Sequence, residues 1–95
     1  MALNFSDVKQ ISIVEYLATL GCHPHLIRGN NYWYHSPFRV EGRPSFKVNY
    51  RMNVWYDHGV GEGGTILDLG AKLYQCSIQD FARRISVDSL TKTNH

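Results

Sequence analysis

The sequence predicts an α+β fold: a small antiparallel β-ribbon flanked by helices. Three observations predict it. An apolar stripe at helical spacing runs through the first twenty residues, a strictly alternating segment occupies the middle, and two segments with polar caps follow it. With 95 residues the chain fits one small domain, whose core must be efficient because little surface is removed from water at this size. Twelve aromatic residues among 43% hydrophobic ones supply that core and argue against disorder.

Residues 6 to 20 read as one helix. Ser6 or Asp7 accepts from the free N–H groups of its first turn, and Gly21 stops it. Val8, Ile11, Ile13, Val14, Tyr16, Leu17 and Leu20 form its apolar stripe. The Pro-, Gly- and Asn-rich stretch from Cys22 to Asn31 reads as a loop. Asn31 to His35 is aromatic and suits a strand. Two prolines and a glycine between Pro37 and Pro44 mark a turn or knuckle. Phe46, Val48 and Tyr50 then alternate with Ser45, Lys47 and Asn49. After a turn at Arg51–Met52 the segment Asn53 to Asp57 continues the pattern as a hairpin with one buried face. His58 to Gly64 reads as a glycine loop. Thr65 caps a second helix from Ile66 to about Tyr74, and Ser77, with Asp80 three residues on, caps a third that turns Phe81 and Ile85 inward. Residues 1–86 form the domain; 87–95 are polar and read as a frayed tail or truncated linker.

A formal charge of +2 permits a nucleic-acid partner without demanding one. Cys22 and Cys76 show no disulfide spacing, no leader-like segment opens the sequence, and no apolar run reaches a membrane span. A reduced, cytoplasmic setting is the expectation, with no membrane partner.

Two segments carry a resemblance. "SPFRVEGRPSFKV" and "VWYDHGVGEGGTILDL", behind the helix "DVKQISIVEYLATLG", resemble the N-terminal zinc ribbon of bacterial and phage DNA primases from roughly Asp7 to Ile85. Pro44-Ser45-Phe46 and Gly61-Glu62-Gly63-Gly64 match its motifs. The resemblance places the four ligand positions at Ser36, Arg39, Asp57 and Val60, with the intervals of two, seventeen and two residues kept and all four Cys/His ligands replaced. Structural zinc takes thiolate or imidazole donors. Guanidinium offers no lone pair, valine has no donor atom, and Asp57 alone could ligate. The expectation is a metal-free, zinc-ribbon-like fold with no cofactor. Zinc contributes on the order of 10 kcal/mol to small zinc domains, so something else must hold this one. Burial of Trp33, Tyr34, Phe38, Trp55 and Tyr56 is one candidate. An ion pair between Arg39 and Asp57 is another, with Ser36 hydrogen-bonding nearby and Val60 filling space; the alternative is two solvated charges.

Other constellations point less far. Cys22, His23 and His25 with His35 and His58 lack the paired thiolates of a relocated zinc site. "GVGEGGT" lacks the Gly-Lys-Ser/Thr ending of a nucleotide loop and reads as a tight turn. Asp57, His58 and Glu62 have no accompanying nucleophile or paired carboxylate, so the chain by itself is not expected to be an enzyme. Cation plus aromatic on a sheet face is the arrangement that holds single strands. Arg39, Arg43, Lys47 and Arg51, with Trp33 and Trp55 if their rings face outward, are the candidate nucleic-acid residues. The competing reading packs at least one of the two indoles against the helices. By resemblance, the expected function is a template-binding module for single-stranded DNA in a primase-like replication protein of a phage, plasmid or mobile element. A primase catalytic domain or helicase is the expected protein partner. The alternative is a zinc-free interaction module that docks a replication partner without touching DNA.

Overall fold

In the computed structural model, residues 4–38 and 44–92 are described, with side chains through Ile85. The elements are α1 (Phe5–Lys9), α2 (Ile13–Thr19), β1 (Leu26–Arg28), β2 (Asn31–Tyr34), β3 (Phe46–Asn49), β4 (Val54–Asp57), β5 (Glu62–Gly64), α3 (Ile66–Tyr74) and α4 (Ile78–Lys92). The five strands form one antiparallel sheet in sequence order, so every connection joins neighbours. This is the α+β ribbon with flanking helices that the sequence predicts.

The opening helix is two helices, not one. Asn4, rather than Ser6 or Asp7, caps α1, and Asp7 completes a reciprocal capping box with it. Ser12 starts α2 by accepting from Glu15 N–H. The break between them is held by Asn53, forty residues away in sequence. Its Nδ2 donates to Lys9 O at 3.0 Å and Ile11 O at 2.8 Å, and its Oδ1 accepts from Ile13 N–H at 2.9 Å. Asn53 has a φ of +56°, a conformation asparagine tolerates better than most side chains. The hairpin tip therefore carries, in one side chain, the partners that three backbone groups of the helix break need.

Two further segments read as loops are strands. Leu26–Arg28 pairs with β2 across a Gly29–Asn30 turn, in which Gly29 has a φ of +58°. Glu62–Gly64 pairs with β4 as the far edge. α4 also continues as helical backbone to Lys92, past the boundary at residue 86.

The helices cover one sheet face. Tyr34, Phe46, Val48 and Trp55 point into a core shared with Val8, Ile13 and Leu17 from the first two helices and Ile66, Leu69 and Phe81 from the last two. Thr65 caps α3 as predicted, with Asp68 returning the bond in a capping box, and Ser77 accepts from Asp80 N–H at the start of α4. α3 and α4 meet closely at Gly70, where any Cβ would run into the Phe81 ring. Tyr74 stacks on Phe81, Tyr16 meets Phe81 edge-on, and the hydroxyls of Tyr16 and Tyr74 hydrogen-bond at 3.0 Å.

Candidate nucleic-acid interface

The strand register decides which side chains face solvent. Leu26, Trp33, Lys47, Tyr56 and Gly63 lie directly opposite one another across all five strands and form one row on the face away from the helices. His58 continues β4 by donating its N–H to Ser45 O at 2.9 Å, so it stands on that same face. Its ring stacks on Trp33 at 5.3 Å and meets Tyr56 edge-on at 4.7 Å. Lys47 holds its ammonium 5.7 Å from the Trp33 ring centroid, within cation–π range. The outer face thus carries a continuous Trp33–His58–Tyr56 aromatic row with the Lys47 ammonium against it. Tyr56 is 41% exposed and folds over Gly63, where a Cβ would lie 2.6 Å from the Trp55 carbonyl oxygen.

Of the residues singled out from sequence, Trp33 and Lys47 come together here. Trp55 does not join them, and the expectation that it is exposed is corrected. It lies opposite Val48 on the buried face, is 4% exposed, stacks on Phe46 at 5.4 Å and donates its indole N–H to Thr65 O at 2.8 Å. Arg51 sits in the hairpin turn, in a separate recess with Lys9, Gln10 and Ser12. Arg39 and Arg43 lie outside the described residues. Tyr56 and His58 were not among the candidates. Both have the same parity as each other along β4 and its extension, and opposite parity to Trp55, which is the signal that places them outward.

At the four ligand positions implied by resemblance, two side chains now build the knuckles from within. Ser36, 8% exposed, accepts from Phe38 N–H two residues on at 3.1 Å. Asp57, fully buried, accepts at Oδ1 from Gly59 N–H, also two residues on, at 2.8 Å. The Asp57 carbonyl takes the N–H groups of Val60 and Gly61. Each turn is thus closed by a local side-chain-to-backbone bond. Arg39, the other half of the expected ion pair, lies outside the described residues. Val60 is 51% exposed and does not fill the site, a second correction: the turn carries it outward into solvent.

The expected aromatic cluster forms with altered membership. Phe38 meets Phe46 and Trp55 edge-on at 5.8 and 5.7 Å, and Tyr34 meets Phe46 at 6.2 Å. Trp33 and Tyr56 belong to the outer face, and Phe46 takes their place in the core. Lys72 reaches from α3 over the Phe38 ring at 5.1 Å and pairs with Glu62 of β5 at 2.8 Å, tying knuckle, edge strand and helix together. Cys22 and Cys76 are free thiols packed partly against the core. His25 and His35 meet edge-on at 5.3 Å, and among the described residues no three His, Cys, Asp or Glu side chains converge as a metal site would require. No helix among the described residues is long and apolar enough to cross a membrane.

No protein-family model matches the chain, and no curated protein matches it. Among solved structures it is similar to a crystal structure of the Aquifex aeolicus primase comprising its zinc-binding and RNA polymerase domains. The TM-score is 0.67 at 20% identity over 86% of this chain. The chain spans 20% of the length of that primase chain. The likeness establishes the zinc-ribbon-like fold. The zinc such a fold implies does not fit the donors present: a serine hydroxyl and one carboxylate, each accepting from its own turn, and a valine turned to solvent.

Proposed function

We propose that the chain is a primase-like nucleic-acid-binding module that holds single-stranded DNA on the outer face of its sheet, without catalysing a reaction itself. The observation that carries this reading is the Trp33–His58–Tyr56 row with Lys47 against it. Rings stack on bases of any sequence, and a cation among them tracks the phosphates. A duplex buries the faces of its bases, so this row suits an unpaired strand. The likeness of fold to part of a primase is compatible with a role beside a polymerising domain, supplied by a longer chain or by a partner; a phage, plasmid or mobile-element replication system is the setting we propose for it. Arg39 and Arg43 would add to the cationic track, whereas Arg51 stands apart in its own recess. The competing reading is a docking module for a replication protein, favoured by exposed Leu26 and Ile27 on edge strand β1.

Fluorescence anisotropy with a labelled, unstructured oligonucleotide at two salt concentrations separates the two. Binding that weakens with salt is expected. Trp33→Ala should lower affinity roughly five- to 150-fold, the loss of about 1–3 kcal/mol of base stacking. Lys47→Glu should weaken binding and reduce its salt dependence. Trp55→Phe, a change inside the core, should leave affinity unaltered. Absence of binding at low salt would overturn the DNA reading and leave the docking surface.

A further inference from the structure

Beside the aromatic row, the same face carries a groove of about 580 Å³ bounded by Lys47, Asn49, Met52, Val54, Tyr56 and Gly63. Its walls are largely apolar: Val54 is half-buried, while Met52 is 69% exposed at the hairpin tip. Its floor continues onto the backbone of Gly64, and no side chain can grow from Gly63 without meeting the Trp55 carbonyl and the Tyr56 ring. Among the described residues, one side-chain amide lines it. Asn49 accepts from Met52 N–H through Oδ1 at 2.9 Å, which fixes the amide and leaves its Nδ2 donors as the remaining hydrogen-bonding group. Among the described residues, no carboxylate lines the groove.

We propose that this groove is a nucleobase subsite, so that two successive bases of a bound strand lie on either side of Lys47. This rests on the single-strand reading above and names the footprint of that same face. Lys47 is the shared residue: its ammonium lies against Trp33 and its side chain lines the groove. One base stacks on the Trp33–His58 rings, the phosphate between the bases meets the ammonium, and the next base enters the groove. There the Tyr56 ring, Val54 and Met52 cover its faces, and Asn49 Nδ2 donates to a base carbonyl or ring nitrogen. A flat floor of glycine backbone admits a planar ring, and the mix of apolar wall with one fixed donor is that of a small-molecule site rather than a bare phosphate track.

Two-dimensional amide NMR of the chain, titrated with a short oligothymidylate and with an abasic strand of equal length, tests the proposal. The thymidylate is expected to shift the Asn49 side-chain amide and the backbone amides of Val54, Gly63 and Gly64 together with the Trp33 indole. The abasic strand is expected to leave those groove signals in place. Met52→Ala combined with Val54→Ala should weaken thymidylate binding roughly three- to tenfold, from the apolar surface removed, with abasic binding unchanged. If the Trp33 and His58 signals respond to thymidylate but the groove signals do not, the subsite is refuted and the single-strand reading stands. The same holds if the abasic strand shifts the groove equally. If nothing responds to either strand, the reading of the face falls and the subsite with it.

Discussion

Replacing Asn53 with glycine isolates the worth of the helix break. Glycine adopts the φ of +56° without cost, so the backbone of the hairpin tip is kept while three hydrogen bonds are removed. A neutral hydrogen bond contributes about 0.5–1.5 kcal/mol net, and Ile13 is fully buried, so its N–H finds water poorly once Oδ1 is gone. The expected loss is about 3 kcal/mol, a large share of the roughly 5–15 kcal/mol that holds a domain together. At this chain length that lowers the melting temperature by roughly 12–24 °C. Asn53→Asp sharpens the test. It keeps the acceptor for Ile13 N–H but aims a carboxylate oxygen at the carbonyls of Lys9 and Ile11, and should be at least as destabilising at neutral pH. Urea unfolding followed by far-ultraviolet circular dichroism reads both variants. An Asn53→Gly protein within about 0.5 kcal/mol of the parent, the range of ordinary surface changes, would refute the assigned role.

Two other expectations concern the core and the knuckles. Burial, with smaller contributions from Tyr32 and Cys22, pushes the Tyr34 hydroxyl from its ordinary 10.0 up to about 12, and that hydroxyl finds no hydrogen-bond partner among the described residues. The unfolded chain releases this proton first, so the stability it contributes is intact below pH 10 and is lost as pH rises through about 12. Tyr34→Phe should leave neutral-pH stability unchanged or raise it by up to about 1 kcal/mol, and should flatten the alkaline decline in an unfolding titration. A steeper decline in the variant would refute this. Calorimetry before and after exhaustive chelation should give the same melting temperature, since the knuckle turns are closed by Ser36 and Asp57. A chelator-induced fall, with stoichiometric metal found by elemental assay, would overturn the metal-free account.

Much of this fold is legible locally. The β3–β4 hairpin follows from alternation at Phe46 and Val48, and α3 and α4 follow from Thr65 and Ser77, because each signal lies within a few residues of what it determines. The break between α1 and α2 is invisible to such reasoning. The apolar stripe runs through it, and the side chain that stabilises it is Asn53. β1 was hidden in a loop-like composition, although Gly29–Asn30 between two short apolar runs is itself a hairpin signal. β5 has only Glu62 and two glycines and offers no pattern to read. The outward face was partly legible as well. Once a turn at Arg51–Met52 is accepted, counting back pairs Val48 with Trp55, which buries the indole, and Lys47 with Tyr56, which exposes the phenol. The cross-strand partner, not the adjacent aromatic, decides which ring is buried.

The stitch from hairpin to helix break also imposes an order on folding. As the chain is synthesised, the first two helices emerge long before residue 53, and the backbone groups at their junction stay open to water until it arrives. Neither short helix is long enough to persist alone. The N-terminal segment is therefore expected to be the last part of the domain to become protected against hydrogen exchange, although it is the first to be made.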